Sequence, residues 1–132
     1  MIYYQQPFAE IEYDQVNQVV IVTYKSYMTS AQLREVFNKG LECVEKYKAT
    51  KMLADSRNFV TIRQEDQEWI NNDYMPRAVK TTIKKFASVL PENMIQKQVL
   101  AKMRTDAVKK VPTGSQGQSF ASIQEAMNWL TK

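Results

Sequence analysis

The sequence predicts an α/β fold: a mixed, mostly parallel five-stranded sheet with four helices, in the order β-β-α-β-α-β-α-β-α. Three observations predict it. Short apolar runs alternate with longer segments whose apolar residues recur every three or four positions. Only the first two strand-like runs are joined by a turn, so they pair antiparallel. Every later connection is long enough for a right-handed crossover back to a parallel neighbour. The chain of 132 residues holds one domain with one core, and residues 1–132 read as a single unit.

Ala9-Glu-Ile-Glu-Tyr13 alternates apolar and polar side chains, as a half-buried strand does. Asp14 to Gln18 supplies turn-forming side chains. Val19-Val-Ile-Val-Thr-Tyr24 is a continuous run suited to a strand buried on both faces. Thr29-Ser-Ala-Gln32 fits a capping box, and Leu33, Val36, Phe37, Gly40, Leu41, Val44 and Tyr47 follow at helical spacing. Gly40 on that stripe points to close approach of the helix to the sheet, and Cys43 beside it to a small packing residue.

Lys51-Met-Leu-Ala-Asp55 is the third strand, and Ser56 to Phe59 begins the loop beyond it. Thr61 to Gln64 repeats the cap pattern, with Ile62, Trp69, Ile70 and Tyr74 on the buried face of a second helix. Pro76 interrupts that helix, because it lacks the N–H a helix interior needs. Lys84 to Leu90 is the fourth strand, and Met94 to Lys109 a third helix. Val111 to Gly117 reads as loop, Gln118 to Ala121 as the fifth strand, and Ser122 to Glu125 as the capping box of a last helix.

Composition narrows the chemistry. There is no histidine and one cysteine, Cys43, which removes Ser-His-Asp and Cys-His nucleophile pairs, histidine zinc sites and an intrachain disulfide. Three glycines and no phosphate-loop motif argue against a nucleotide cradle. The acidic groups Glu10 and Glu12, and Glu65, Asp66 and Glu68, read as a solvated strand face and a helix first turn. No catalytic residue, cofactor site or metal site is assigned, and the expectation is a protein that is not an enzyme. No apolar stretch is long enough to span a membrane, and the first residues lack the pattern of a secretory signal. A lone cysteine among seven methionines suits a reducing compartment, so the expected location is the cytoplasm.

Charge is uneven. Residues 1–76 carry 8 basic and 11 acidic side chains, and residues 77–110 carry 9 and 2. Lysines and arginines in the second segment (Lys84, Lys85, Lys97, Lys102, Arg104) suit nucleic acid only if they converge; spread out, they read as solvated faces. Nucleic acid is therefore not the expected partner.

Met52-Leu-Ala-Asp-Ser-Arg57, Gln67-Glu-Trp69, Phe86-Ala-Ser-Val89 and Phe120…Ala126…Trp129-Leu130, with the element order, resemble the STAS domain of bacterial anti-sigma-factor antagonists. The closer likeness is to bacterial STAS/Sec14-like proteins, many of them uncharacterised. The resemblance implies a regulatory or protein-interaction domain. It also implies a role for Ser56, because in the antagonists an Asp-Ser pair ends the third strand and a partner kinase phosphorylates its serine. Asp55-Ser56 stands at the matching place. The family continues with a small residue and Gly-Leu-Gly, where this chain has Arg57-Asn58-Phe59.

Two candidate sites emerge. Asp55, Ser56, Arg57 and Arg63 lie beyond the carboxyl end of a strand and beside a helix start, where α/β sheets hold ligands and anions. They are the candidate phosphorylation or anion site; the plain reading is a local cap and a surface ion pair. Phe59, Trp69, Tyr74, Met75 and Arg77 are the candidate ligand pocket or interface, and the plain reading is core around an interrupted helix. The partners named are a protein, a second copy of the chain as a homodimer, and, in the alternative function, a lipid or small apolar ligand near Trp69 and Tyr74.

Overall fold

Among the described residues six strands lie side by side in chain order: β1 (Ile2–Gln6), β2 (Ala9–Asp14), β3 (Val19–Tyr24), β4 (Lys51–Asp55), β5 (Lys85–Val89) and β6 (Gln116–Phe120). The computed structural model describes residues 1–58, 62–90 and 116–132. β1, β2 and β3 form an antiparallel meander, and β3 to β6 run parallel. The helices are α1 (Ser30–Tyr47), α2 (Gln64–Trp69), a π-helical turn (Ile70–Tyr74) running directly into α3 (Met75–Ala78), and α4 (Ile123–Leu130). The sequence-predicted helix from Met94 to Lys109 lies outside the described residues.

The five predicted strands become six. β1 pairs antiparallel with β2, but its register shifts between Ile2 and Tyr4. That bulge lets adjacent Tyr3 and Tyr4 both pack against the cluster under α1, which erases the two-residue alternation that announces a strand. β6 begins at Gln116, two residues before its predicted start, so the predicted loop to Gly117 ends early.

Alternation sorts the sheet into two packed faces. Ala9, Ile11, Tyr13, Val20, Val22, Tyr24, Met52 and Ala54 meet α1, the π turn and α3 on one face. Val19, Leu53, Ala87 and Val89 meet Ala126 and Leu130 of α4 on the other. β3 is thus buried on both sides, as its unbroken apolar run requires.

The capping box of α1 is complete: the Gln32 N–H donates to Thr29 Oγ1 at 3.2 Å, and the Thr29 N–H to Gln32 Oε1 at 3.0 Å. α2 starts later than the Thr61 pattern predicts. Its N-cap is Arg63, whose side chain makes no capping bond, and Thr61 lies outside the described residues. Ser122 caps α4 by accepting the Glu125 N–H at 3.2 Å.

Gly40 does not mark an unusually close approach. A Cβ built there meets Val22 Cγ2 at 3.7 Å and Met52 Cε at 3.8 Å, which is ordinary contact. Gly40→Ala therefore gains helix propensity and buries a methyl without a clash, and should stabilise the fold by about 1 kcal/mol. Urea denaturation checks this; a lower midpoint would mean the helix cannot accommodate the methyl.

Pro76 does not break the helical path. It sits in the first turn of α3, where a missing N–H costs little, and the wider π turn precedes it.

Candidate functional site

The carboxyl end of the sheet is built by strand register. Asp55 closes β4 between Thr23 of β3 and Val89 of β5. Flanked on both sides, it is only 4% exposed. The Ser56 N–H continues the ladder one residue further, donating to the Val89 carbonyl at 2.9 Å, and Ser56 is 3% exposed.

A buried carboxylate needs donors, and the next residue supplies them. Arg57 Nε donates to Asp55 Oδ1 and Nη2 to Oδ2, both at 2.9 Å, and the Arg57 N–H reaches Oδ1 at 3.3 Å. This is a two-pronged clasp of the kind that planar guanidinium and carboxylate groups favour. The hydrogen bonds that its guanidinium donates to Asp55 push Arg57 above its ordinary value. The Arg57 side chain is nevertheless 51% exposed, so the clasp holds a fixed cation at the surface. Chemically, Asp55 is committed to its own loop, and Ser56 is buried beside it at the strand end.

Arg63 does not join this clasp. Its Nη2 donates to the Tyr27 hydroxyl at 2.6 Å, and Nη1 lies 3.9 Å from Glu65. Tyr27 stands in the loop between β3 and α1 and is 48% exposed. Sequence reasoning passed over it; the signal was an aromatic residue in a polar loop just before a helix cap. Loops after β3 and β4 thus bring Tyr27, Arg57 and Arg63 to one end of the sheet. Phe59 lies outside the described residues.

The second set is brought together by the π turn. In an α-helix a five-residue step rotates a side chain about 140° away. In the π turn the Met75 N–H bonds five residues back, to the Ile70 carbonyl, and Trp69 and Tyr74 come onto one side. Their rings lie 6.1 Å apart, and both meet Phe37 of α1 edge-on, at 6.2 and 4.9 Å. Tyr74 is buried with its hydroxyl 3.9 Å from Met52 Sδ, and burial raises its ionisation well above the ordinary tyrosine value. Met75 packs half-buried against the same cluster. Arg77 lies 5.8 Å from the Trp69 ring centre and is held by Asp73 Oδ2 and Asn38 Oδ1, each at 2.8 Å. Arg34 approaches the Trp69 ring at 5.3 Å. These side chains fill the space between α1 and α3 with one another.

Asp66 lies in the first turn of α2, as its sequence position predicts, but it is buried there and not solvated. Asp66 is 3% exposed, accepts from Ser30 Oγ at 2.8 Å, and lies 3.7 Å from Arg34 Nε. It shares a helical stripe with Trp69 and Ile70, and a carboxylate on an apolar stripe is the signal of its burial. Of the basic segment, Lys85 packs over Trp129 at 5.1 Å and donates to its carbonyl at 3.2 Å. Lys97, Lys102 and Arg104 lie outside the described residues. No helix among the described residues is long and apolar enough to cross a membrane.

Comparison with protein-family models, curated proteins and solved structures finds no match for this chain.

Proposed function

We propose that the protein is a non-enzymatic, STAS-like interaction domain that docks a partner protein at the carboxyl end of its sheet. The observation that carries this reading is the rim of Tyr27, Arg57 and Arg63, set on two adjacent loops and fixed by hydrogen bonds of their guanidinium and hydroxyl groups. Tyrosine and arginine dominate binding energy at protein interfaces, most of all when fixed before the partner arrives. Support for the STAS-like type comes from the parallel strands β3 to β6 in chain order and from Asp55-Ser56 at a strand end.

In this reading Ser56 is the point of regulation. A phosphoryl group there sets a second negative charge against Asp55 and offers Arg57 a stronger acceptor, which opens the clasp. The lipid-carrier alternative is less well supported, because Phe37, Trp69 and Tyr74 close on one another.

The test compares protein captured from host extract by wild type and by Tyr27→Ala and Arg57→Ala, each first shown to be folded. A partner of this surface should drop about tenfold or more with either substitution, the loss of one moderate hot spot. Capture that is equal across all three proteins would overturn the reading.

A further inference from the structure

The edge of the sheet at β1 carries a second surface, remote from the rim and independent of it. Among the described residues β1 ends the sheet, and the ladder alternation turns half of its backbone N–H and C=O groups away from β2. Such edges are commonly guarded by charge. Here Ile2–Gln6 reads Ile-Tyr-Tyr-Gln-Gln, with no charged residue, and Met1 and Ile2 are exposed apolar side chains at its start.

Above this edge α1 presents Glu35, Lys39, Glu42 and Lys46, spaced four, three and four residues apart and therefore in one stripe. The stripe is anchored to β1. Tyr4 donates its hydroxyl to Glu35, and Lys46 Nζ lies 5.6 Å from the Tyr3 ring centre. Lys39 and Glu42, the middle pair, are 3.1 Å apart. The stripe's midpoint thus lies over Tyr3 and Tyr4, the middle of the strand.

The geometry points to an antiparallel, two-fold pairing of β1 with β1 of a second copy of this chain, joining two sheets into one. A two-fold through the centre of β1 sets the two stripes antiparallel. The signs then read negative, positive, negative, positive along one helix and the reverse along its mate. Glu35 meets Lys46 of the second copy, and Lys39 meets its Glu42. Every pair across the seam is opposite in sign, and the strand at the axis brings no like charges together. Strands pair about 4.8 Å apart, so helices lying over β2 and β3 stand roughly 19 Å apart across the two-fold, a gap that an extended lysine and glutamate reaching from facing helix surfaces just span.

Sedimentation equilibrium on the whole chain tests this. Wild type should show a monomer–dimer equilibrium that stops at the dimer. Lys39→Glu alone and Glu42→Lys alone each create two like-charge contacts per dimer and should weaken it about tenfold or more. The double exchange Lys39→Glu with Glu42→Lys restores every opposite pair and should recover the wild-type constant to within about threefold. Circular dichroism confirms that each variant is folded, and Ile2→Lys and Gln5→Lys, which put charge on the edge itself, should also give monomer. A wild-type monomer at all concentrations, growth past the dimer, or a double exchange no tighter than the single changes would overturn the proposal. None of these results depends on the rim, whose failure would leave this interface standing.

Discussion

Asp66→Ala is expected to destabilise the fold by about 2–3 kcal/mol, somewhat less than the roughly 3–5 kcal/mol for breaking a fully buried ion pair, because Arg34 is half-exposed. Three losses combine. Ser30 Oγ loses a charged acceptor at 2.8 Å, a bond of the stronger class. Arg34 loses its nearest anion, although its half-exposed guanidinium regains water. The first turns of α1 and α2 lose a carboxylate that their exposed N–H groups favour. Asp66→Asn keeps an acceptor for Ser30 and should cost about half as much. Urea denaturation of the two variants, with Arg34→Ala completing a double-mutant cycle, separates these contributions. A near-zero cost for Asp66→Ala would mean that α2 is held on α1 by its apolar contacts alone.

The second large effect is a loss of stability in alkali. Burial pushes the Cys43 thiol up from 9.0 to about 11, and burial with the Glu42 hydrogen bond pushes Tyr3 up from 10.0 to about 12. Both groups are neutral when protonated, and both hold their protons more tightly folded than unfolded. Their contribution is therefore complete below the unfolded values and is lost as pH rises through 9 to 11 for the thiol and 10 to 12 for the phenol. Two pH units at fully buried Cys43 correspond to about 2–3 kcal/mol. Stability followed by urea midpoint should be level below about pH 9, the ordinary thiol value, and then fall. Cys43→Ala should flatten the first part of that fall. A curve that Cys43→Ala leaves unchanged would mean that the thiol ionises freely in the folded state.

The elements with a regular period were legible in the residues. β2 alternates without a fault, β3 is apolar on both faces, and Thr29 and Gln32 announce the start of α1. Where local geometry departs from a period, the sequence is silent. The bulge at Tyr3 and Tyr4 hides β1, and the π turn that unites Trp69 with Tyr74 leaves no mark except Pro76 after it. At the site, the plain reading has Asp55 capping backbone N–H groups and Arg57 pairing with a surface carboxylate; Asp55 does accept the Arg57 N–H, but the carboxylate that Arg57 pairs with is the buried Asp55 itself. Arg63 was grouped with them by proximity in sequence, yet its partner is Tyr27, 36 residues away. Such a contact depends on two loops meeting at one sheet end, which no spacing along the chain encodes.

The docking claim is tested most directly by covalent capture. A photo-crosslinking amino acid is placed at Tyr27 in one protein. In a second it replaces Val16, in the β2–β3 turn at the opposite end of the sheet and 91% exposed. Irradiation in host cells should give one discrete adduct from position 27, lost when Arg57→Ala is added, and none of the same mass from position 16. The same adduct from both positions, or none from position 27, would contradict the account.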